Sequence, residues 1–412
     1  MVNKLIKKVI FTPTNIYLFG EIFSKISPFL ILPILSRILS VESFGVYSIF
    51  HVSTFFSYIF ISLATTTYIS VVFYKNKEEL PDVIWSSTIV STVIFLLSLV
   101  LMCFVKVGGF FEFWDDIIIA ILVVGYLSFF FQMKLTLDQF SKKSLTYVVY
   151  NIVRSLILVL SVYLLSLFKV SDVEWYVYAY CLSYALLMPN VIIHLYKVVT
   201  SNSSKLSFNW RVVTYSLPLI PSALSNWFKT SSDRFIIIST LGAVALGYYS
   251  AAYQVAFAIS IVSIALTKVL GPELFSQISS GKLGYKTLSF CNKYAGVFAV
   301  ISILYLIVVY FFTEMYLGVG YIGAGRIASL LVIACSLQGL ASLYVGVLYY
   351  VENTKYTFWA NMISLFFHIC IAIVLVLYLG DIAAFVIASI LSSLLYLIVI
   401  YSKVRYVCNK AN

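Results

Sequence analysis

The chain is 412 residues long; 62% of it is hydrophobic, 10% is charged, its mean hydropathy is +1.02 and its net charge is +11. A soluble domain carries charge on about a quarter of its residues, so this composition excludes one and points to a chain that buries its apolar surface in lipid. The basic residues lie mostly in short connections between apolar runs, which assigns them to membrane topology and excludes nucleic acid as a partner.

A hydrocarbon core about 30 Å thick takes roughly 20 apolar residues per helix. After a short basic start, Met1 to Lys8, that measure predicts twelve spans in chain order: 15–36, 44–73, 83–105, 117–140, 146–168, 174–196, 212–239, 247–270, 292–313, 325–350, 355–378 and 382–402. The runs are long and do not alternate, and lipid requires backbone hydrogen bonds to close within each segment, so helices are expected throughout. The first run is itself long enough to span, so no cleavable signal peptide is expected. Once the Lys and Arg residues at span ends are assigned to the loops, six of the 27 remain inside spans. With a cytoplasmic N-terminus, Arg37, Lys106, Lys169 and Arg326 face the other side, and the remaining seventeen face the cytoplasm. That bias predicts both termini in the cytoplasm and an even number of spans. Trp85, Trp114, Trp175, Trp210 and Trp359 fall near span ends, as an interfacial belt requires, while Trp227 lies inside span seven. The six cysteines are scattered without a CxxC and read as small apolar fillers; His51, His194 and His368 are isolated, with no metal spacing, and read as packed or interfacial residues, a proton relay being the alternative. The longest hydrophilic stretches, 197–211 and 271–291, are too short for a catalytic domain.

A weak internal repeat relates the two halves. Phe44-Gly45-Val46-Tyr47-Ser48 opens span two, and Leu246-Gly247-Tyr248-Tyr249-Ser250 opens span eight. Each follows a span with two prolines, Pro28 and Pro33 in span one, Pro218 and Pro221 in span seven. The expected architecture is all-α, with one six-helix bundle over 1–200 and a second over 201–412. Six being even, the repeats are parallel, related by an axis along the membrane normal.

A charge at the centre of a span costs about 2.5–3.5 kcal/mol or more, so charged residues there are expected to face a cavity or one another. The cations are Lys25, Lys134, Arg154, Lys229, Arg234 and Lys268; the acids are Glu21, Asp138, Asp233 and Glu273. Glu21–Lys25, Lys134–Asp138 and Lys229–Asp233 stand four apart, the spacing of a helical ion pair. Lys134, Asp138, Lys268 and Glu273 lie near span ends, where snorkelling is cheap. Arg154 either lines a cavity or reaches the cytoplasmic surface. Spans one and seven are expected to be broken by their prolines and to line a cleft, since freed backbone groups are tolerated there. Lys25 and Lys229 then sit at similar depth on opposite halves, and such a cationic cleft suits a pyrophosphate.

The segments Tyr215-Ser216-Leu217-Pro218-Leu219-Ile220-Pro221, Ser231-Ser232-Asp233-Arg234-Phe235, Leu246-Gly247-Tyr248-Tyr249-Ser250 and Gly271-Pro272-Glu273 resemble those of Wzx-type O-antigen flippases, in the multidrug/oligosaccharidyl-lipid/polysaccharide exporter superfamily. Leu35-Ser36-Arg37-Ile38-Leu39-Ser40 through Ser48 is similar to that family's opening helix and loop. The resemblance covers essentially the whole chain and is specific to the polysaccharide branch, not to one sugar. It implies a V-shaped, two-lobed transporter that works by alternating access in the bacterial inner membrane. It implies an undecaprenyl-pyrophosphate-linked oligosaccharide as cargo, membrane lipids as surroundings, and a polysaccharide polymerase and a chain-length regulator as partners. No cofactor is expected beyond a coupling H+ or Na+, for which Glu21 and Asp233 are the candidate carriers. Asp233 and Arg234 are the matched motif positions, with Pro218, Pro221 and Gly247 as structural members; Lys25, Lys229 and Arg154 come from the cavity reasoning alone.

The leading reading is a flippase, not an enzyme. A cation-coupled drug or metabolite antiporter of the same superfamily is the first rival, and the excess of cations over acids inside the spans disfavours it. A membrane polymerase is the second, and it lacks the large external loop it would need.

Overall fold

The structure is a computed structural model that describes residues 13–107, 115–200, 206–279, 284–351 and 353–410. Among the described residues it is all helix, without strands. In chain order the helices are α1 (Pro13–Ile38), α2 (Val41–Ser62), α3 (Thr65–Lys75), α4 (Leu80–Val107), α5 (Asp115–Phe140), α6 (Ser144–Leu167), α7 (Val173–Ala185), α8 (Met188–Val199), α9 (Arg211–Ser216), α10 (Ile220–Thr240), α11 (Gly242–Gln277), α12 (Tyr285–Leu317), α13 (Ala324–Tyr350), α14 (Thr354–Leu379) and α15 (Ala383–Lys410).

Every predicted span falls on helix, but the segments long and apolar enough to cross a membrane number ten, not twelve, among the described residues. The other two are spans one and seven. Both are helical, as α1 and α10, yet α1 carries Glu21, Lys25 and Arg37, and α10 carries Lys229, Asp233 and Arg234. Three predicted spans are also interrupted. Span two breaks between α2 and α3, where Leu63 and Ala64 take positive φ of 44° and 57°, a left-handed backbone that costs an L-residue about 1–2 kcal/mol. Span six breaks at Leu186–Leu187, between α7 and α8. Span seven passes through a 3₁₀ turn at Leu217–Leu219, around Pro218, before α10 begins.

Span one is not broken, contrary to the expectation from Pro28 and Pro33: α1 runs through both. Pro33 has no N–H, so the carbonyl four residues earlier, on Phe29, loses its helical donor. The Tyr316 hydroxyl donates to that oxygen, and Gln254 Nε2 donates to Pro28 O at 2.6 Å. The Tyr316 hydroxyl thus satisfies the carbonyl that Pro33 frees, the way lipid-embedded proline helices are tolerated, while Gln254 adds a second anchor at Pro28 O.

The chain forms two compact units, residues 1–27 with 46–231 and residues 28–45 with 232–412. In unit 1, α5 packs against α3, α4, α6, α7 and α8. In unit 2, α13 is the central helix, packed against α11, α12 and α15. The repeated glycines do their work in unit 2. A Cβ on Gly45 would stand 2.2 Å from Ala243 O, and one on Gly247 would stand 1.9 Å from Val41 O. The start of α2 and the start of α11 therefore meet backbone to backbone through equivalent glycines, an approach only a residue without a side chain permits. The tryptophans divide as their positions suggest: Trp210 and Trp359 are exposed at helix ends, and Trp227 is buried, donating from Nε1 to Val52 O at 2.9 Å. Trp114 lies outside the described residues.

Candidate functional site

Charged side chains on membrane helices fall into three kinds of surroundings. The first is a closed ion pair. Lys134 and Asp138 on α5 pair with each other as their spacing predicts, both almost fully buried, and the lysine also lies 4.7 Å from the centroid of Tyr150. Each charge is neutralised within one turn of helix, so the pair can sit away from water.

The second is a network in unit 2. Asp233 on α10 accepts from the Tyr249 hydroxyl on α11 through one oxygen and meets His368 Nε2 on α14 through the other. An ionised carboxylate only accepts, so in that state His368 Nε2 carries the shared proton. The other ring nitrogen, Nδ1, lies 3.2 Å from Ser392 Oγ on α15, and the backbone oxygen of Ser392 accepts from Ser364 Oγ at 2.9 Å. Arg234 packs its guanidinium 4.9 Å from the centroid of Tyr253, which stacks on Tyr249 at 6.0 Å. Three helices therefore meet at one carboxylate whose side chain is 13% exposed, and α15 supports it through His368. Asp233 was expected to face Lys229, four residues away; its partners come from α11 and α14 instead, because an imidazole and a phenol there satisfy both oxygens.

The third is a cation without an acid. Arg154 lies near the middle of α6, in unit 1. Its Nη1 donates to the Tyr184 hydroxyl at 2.9 Å, and its guanidinium lies 4.9 Å from the Tyr184 ring and 5.8 Å from the Phe131 ring. No carboxylate pairs with it among the described residues.

The remaining candidates are placed as follows. Lys25 on α1 and Lys229 on α10 are half-buried, and both belong to unit 1, where the sequence halves had placed them apart. The Glu21 side chain lies outside the described residues. Lys268 and Glu273 are exposed on α11. Pro218 and Pro221 flank the entry to α10; Pro28 and Pro33 lie within continuous α1. Arg37 and Glu314 border a cavity of about 730 Å³ in unit 2, where both serve the loop geometry: Arg37 Nη2 donates to Met315 O at 2.9 Å, and Glu314 accepts from Gly323 N at 2.8 Å. From sequence, His368 reads as a packed or interfacial residue with a proton relay as the alternative, and Tyr249 only as part of the Leu246–Ser250 motif; neither is connected to Asp233 there. His368 is 135 residues from Asp233, and the only local signal was an imidazole inside an otherwise apolar run.

A sequence profile described as "Polysaccharide biosynthesis protein" matches residues 13–279. Over 363 residues the chain is 24% identical to an uncharacterized membrane protein of Haemophilus influenzae, covering 85% of this chain and 86% of that one. It is 27% identical over 288 residues to Lsg locus protein 1 of the same organism, covering 66% and 68%. Among solved structures it is similar to the inward-facing conformation of a multidrug resistance MATE family transporter of the MOP superfamily, with a TM-score of 0.73 at 10% identity over 93% of this chain and 95% of that one. It is also similar to an outward-facing structure of such a transporter, with a TM-score of 0.64 at 12% identity over 97% of each chain.

Proposed function

From the premise that this chain belongs to the polysaccharide biosynthesis protein family and has the fold of a MATE-type transporter, we propose that it is a Wzx-type flippase. Its cargo is an undecaprenyl-pyrophosphate-linked oligosaccharide, an O-antigen or related surface repeat unit, carried from the cytoplasmic to the periplasmic face of the inner membrane. The single observation that carries this reading is the joining of that family to a transporter fold in a chain with short connections, none longer than the segment 200–210 between described helices. Both termini lie in the cytoplasm, as the seventeen-to-four split of loop cations indicates. Lys25, Lys229 and Arg154, all in unit 1, supply positive charge to a pyrophosphate: Arg as a fork, Lys as a point charge. Transport proceeds by alternating access.

Ion coupling is assigned to Asp233. Its carboxylate, His368 and Tyr249 make a chain of groups that exchange protons, and the imidazole is the side chain that titrates nearest neutral pH. A proton arriving on the carboxylate would weaken its hold on His368 Nε2 and so loosen α10 from α14. Glu21 remains the second candidate carrier. A polymerase and a chain-length regulator would act on the cargo once it is outside.

Deletion of the chain tests this reading. Surface polysaccharide should be lost while complete lipid-linked repeat units accumulate on the cytoplasmic face. Single flipped units outside would point to a polymerase. Unaltered polysaccharide with new drug sensitivity would point to an antiporter.

A further inference from the structure

Unit 1 holds two buried-helix cations in opposite circumstances. Lys134 is neutralised by Asp138 and enclosed. Arg154 sits at the depth where charge costs most, near the middle of a 24-residue helix, yet no acid answers it among the described residues. What surrounds it is aromatic. Tyr184 and Phe131 offer ring faces, and Tyr180 packs against Tyr184 with ring centroids 5.9 Å apart. Aromatic faces offset part of the desolvation, about 0.5–2 kcal/mol each, but they leave the net charge in place. A guanidinium has five N–H donors; Tyr184 occupies one, and Nε has no partner. Because Tyr184 Oη accepts from Arg154, its own proton is free to donate elsewhere.

The backbone around this cluster is irregular as well. Tyr184 is the penultimate residue of α7, directly before the break at Leu186–Leu187. Tyr58, on α2 just before the left-handed break at Leu63–Ala64, is within electrostatic reach of Tyr184 and lies 3.4 Å from Thr66 Oγ1 across that break. Two mid-span interruptions thus flank one uncompensated cation. Interrupted membrane helices persist where they are packed in protein or line a wet cavity, and they mark binding sites. The cluster also has an opening: Arg154 is only half-buried, and exposed His51 on α2 packs edge-on against Tyr180 at 5.6 Å.

We propose that Arg154, Tyr180, Tyr184, Phe131 and His51 form a subsite in unit 1 for a sugar phosphate, the junction of the first sugar and the phosphate in the lipid-linked cargo. The phosphate takes the spare guanidinium donors and the Tyr184 hydroxyl proton. The sugar ring stacks on exposed His51, whose ring is held edge-on by buried Tyr180. An acid beside Arg154 would repel this ligand and pair with the guanidinium, so the lack of one favours anionic cargo. The proposal rests on the flippase reading for the identity of the cargo, though the binding site can be tested without it.

The probes are glucose 1-phosphate, inorganic phosphate and glucose, titrated by calorimetry against the full chain in phosphatidylcholine nanodiscs. Glucose 1-phosphate should bind more tightly than phosphate, and glucose should not bind. Arg154→Met should weaken both anions about tenfold or more, the scale of a charged hydrogen bond. Arg154→Lys, which keeps the charge, should retain part of the affinity, and Tyr180→Leu should erase the preference for the sugar phosphate while leaving phosphate binding. Unchanged affinity in Arg154→Met, or no anion binding to the wild type, overturns the subsite. Loss of sugar phosphate binding on exchange into phosphatidylglycerol nanodiscs would assign the site to a lipid headgroup and equally overturn it. In cells, Arg154→Met with normal surface polysaccharide removes the subsite and leaves the flippase reading standing. A deletion that leaves polysaccharide unchanged removes the flippase reading, whatever the titrations give.

Discussion

Asp233 in unit 2 and Arg154 in unit 1 are both charges on membrane helices, and their surroundings differ in one respect that decides what each can do. Asp233 has both oxygens occupied by side chains of other helices, a phenol and an imidazole. Arg154 has aromatic faces and a hydroxyl but, among the described residues, no opposite charge. A satisfied carboxylate has no vacancy for a large ligand, and the change open to it is gain or loss of a proton. An unneutralised cation holds donors in reserve and can recruit an anion. Buried charge in such a chain therefore has to be read by its complement: Lys134, closed by Asp138, shows the third outcome, in which neither proton nor ligand is called for.

The contrast can be broken most sharply at Asp233. Asp233→Asn keeps the volume and removes the charge; export measured as surface polysaccharide should fall about a hundredfold, the scale on which a proton-transfer group acts. Glucose 1-phosphate binding to the purified protein should stay at the wild-type value. Equal loss of binding in Asp233→Asn and Arg154→Met would erase the distinction between the two sites. A smaller effect is expected from His368→Gln, which keeps one hydrogen bond to Asp233 but cannot carry charge. Export should drop about tenfold, with the loss greatest where wild-type export depends most on the external proton concentration. Wild-type export and pH response would exclude the imidazole from coupling.

Two structural variants bound the comparison from below. Gly247→Val forces a side chain onto Val41 O and should destabilise the protein by about 2 kcal/mol or more, seen as less folded protein in the membrane. Gly296→Val, where a Cβ meets nothing within 4 Å, is the control and should be far milder. Tyr316→Phe withdraws the donor from Phe29 O and should cost about 1 kcal/mol, read as a small drop in thermal midpoint in detergent. If it instead abolished export at normal stability, the proline-freed carbonyl would belong to the mechanism and not to packing.

Much of the fold was legible before any coordinates. Hydropathy located the ten helices long and apolar enough to span among the described residues, since the length of an apolar run is set by the bilayer and needs no knowledge of neighbours; spans one and seven are helical but do not meet that measure. The Lys134–Asp138 pair was legible for a similar reason: four residues along a helix is a fixed geometry. The same spacing failed at Lys229 and Asp233. The prolines of span one suggested a break that did not occur, because Tyr316, 287 residues further on, supplies the missing donor. The break at Leu63–Ala64 had no glycine or proline to mark it, whereas the break at Leu186–Leu187 is followed by Pro189 in the first turn of α8, a helix-start signal that hydropathy alone passes over.

The sequence by itself determined that this is a helical membrane chain, where its spans run, and which charges they carry, because solvation and helical periodicity are local properties of the residues concerned. Only the tertiary structure decided which charge is answered by which group. The imidazole on α14 reaches the carboxylate on α10, and the rings of α5 and α7 surround the guanidinium on α6, through contacts between helices that no spacing along the chain encodes. In a low-dielectric interior that choice of neighbour sets whether a charge is closed, titratable or open to a ligand.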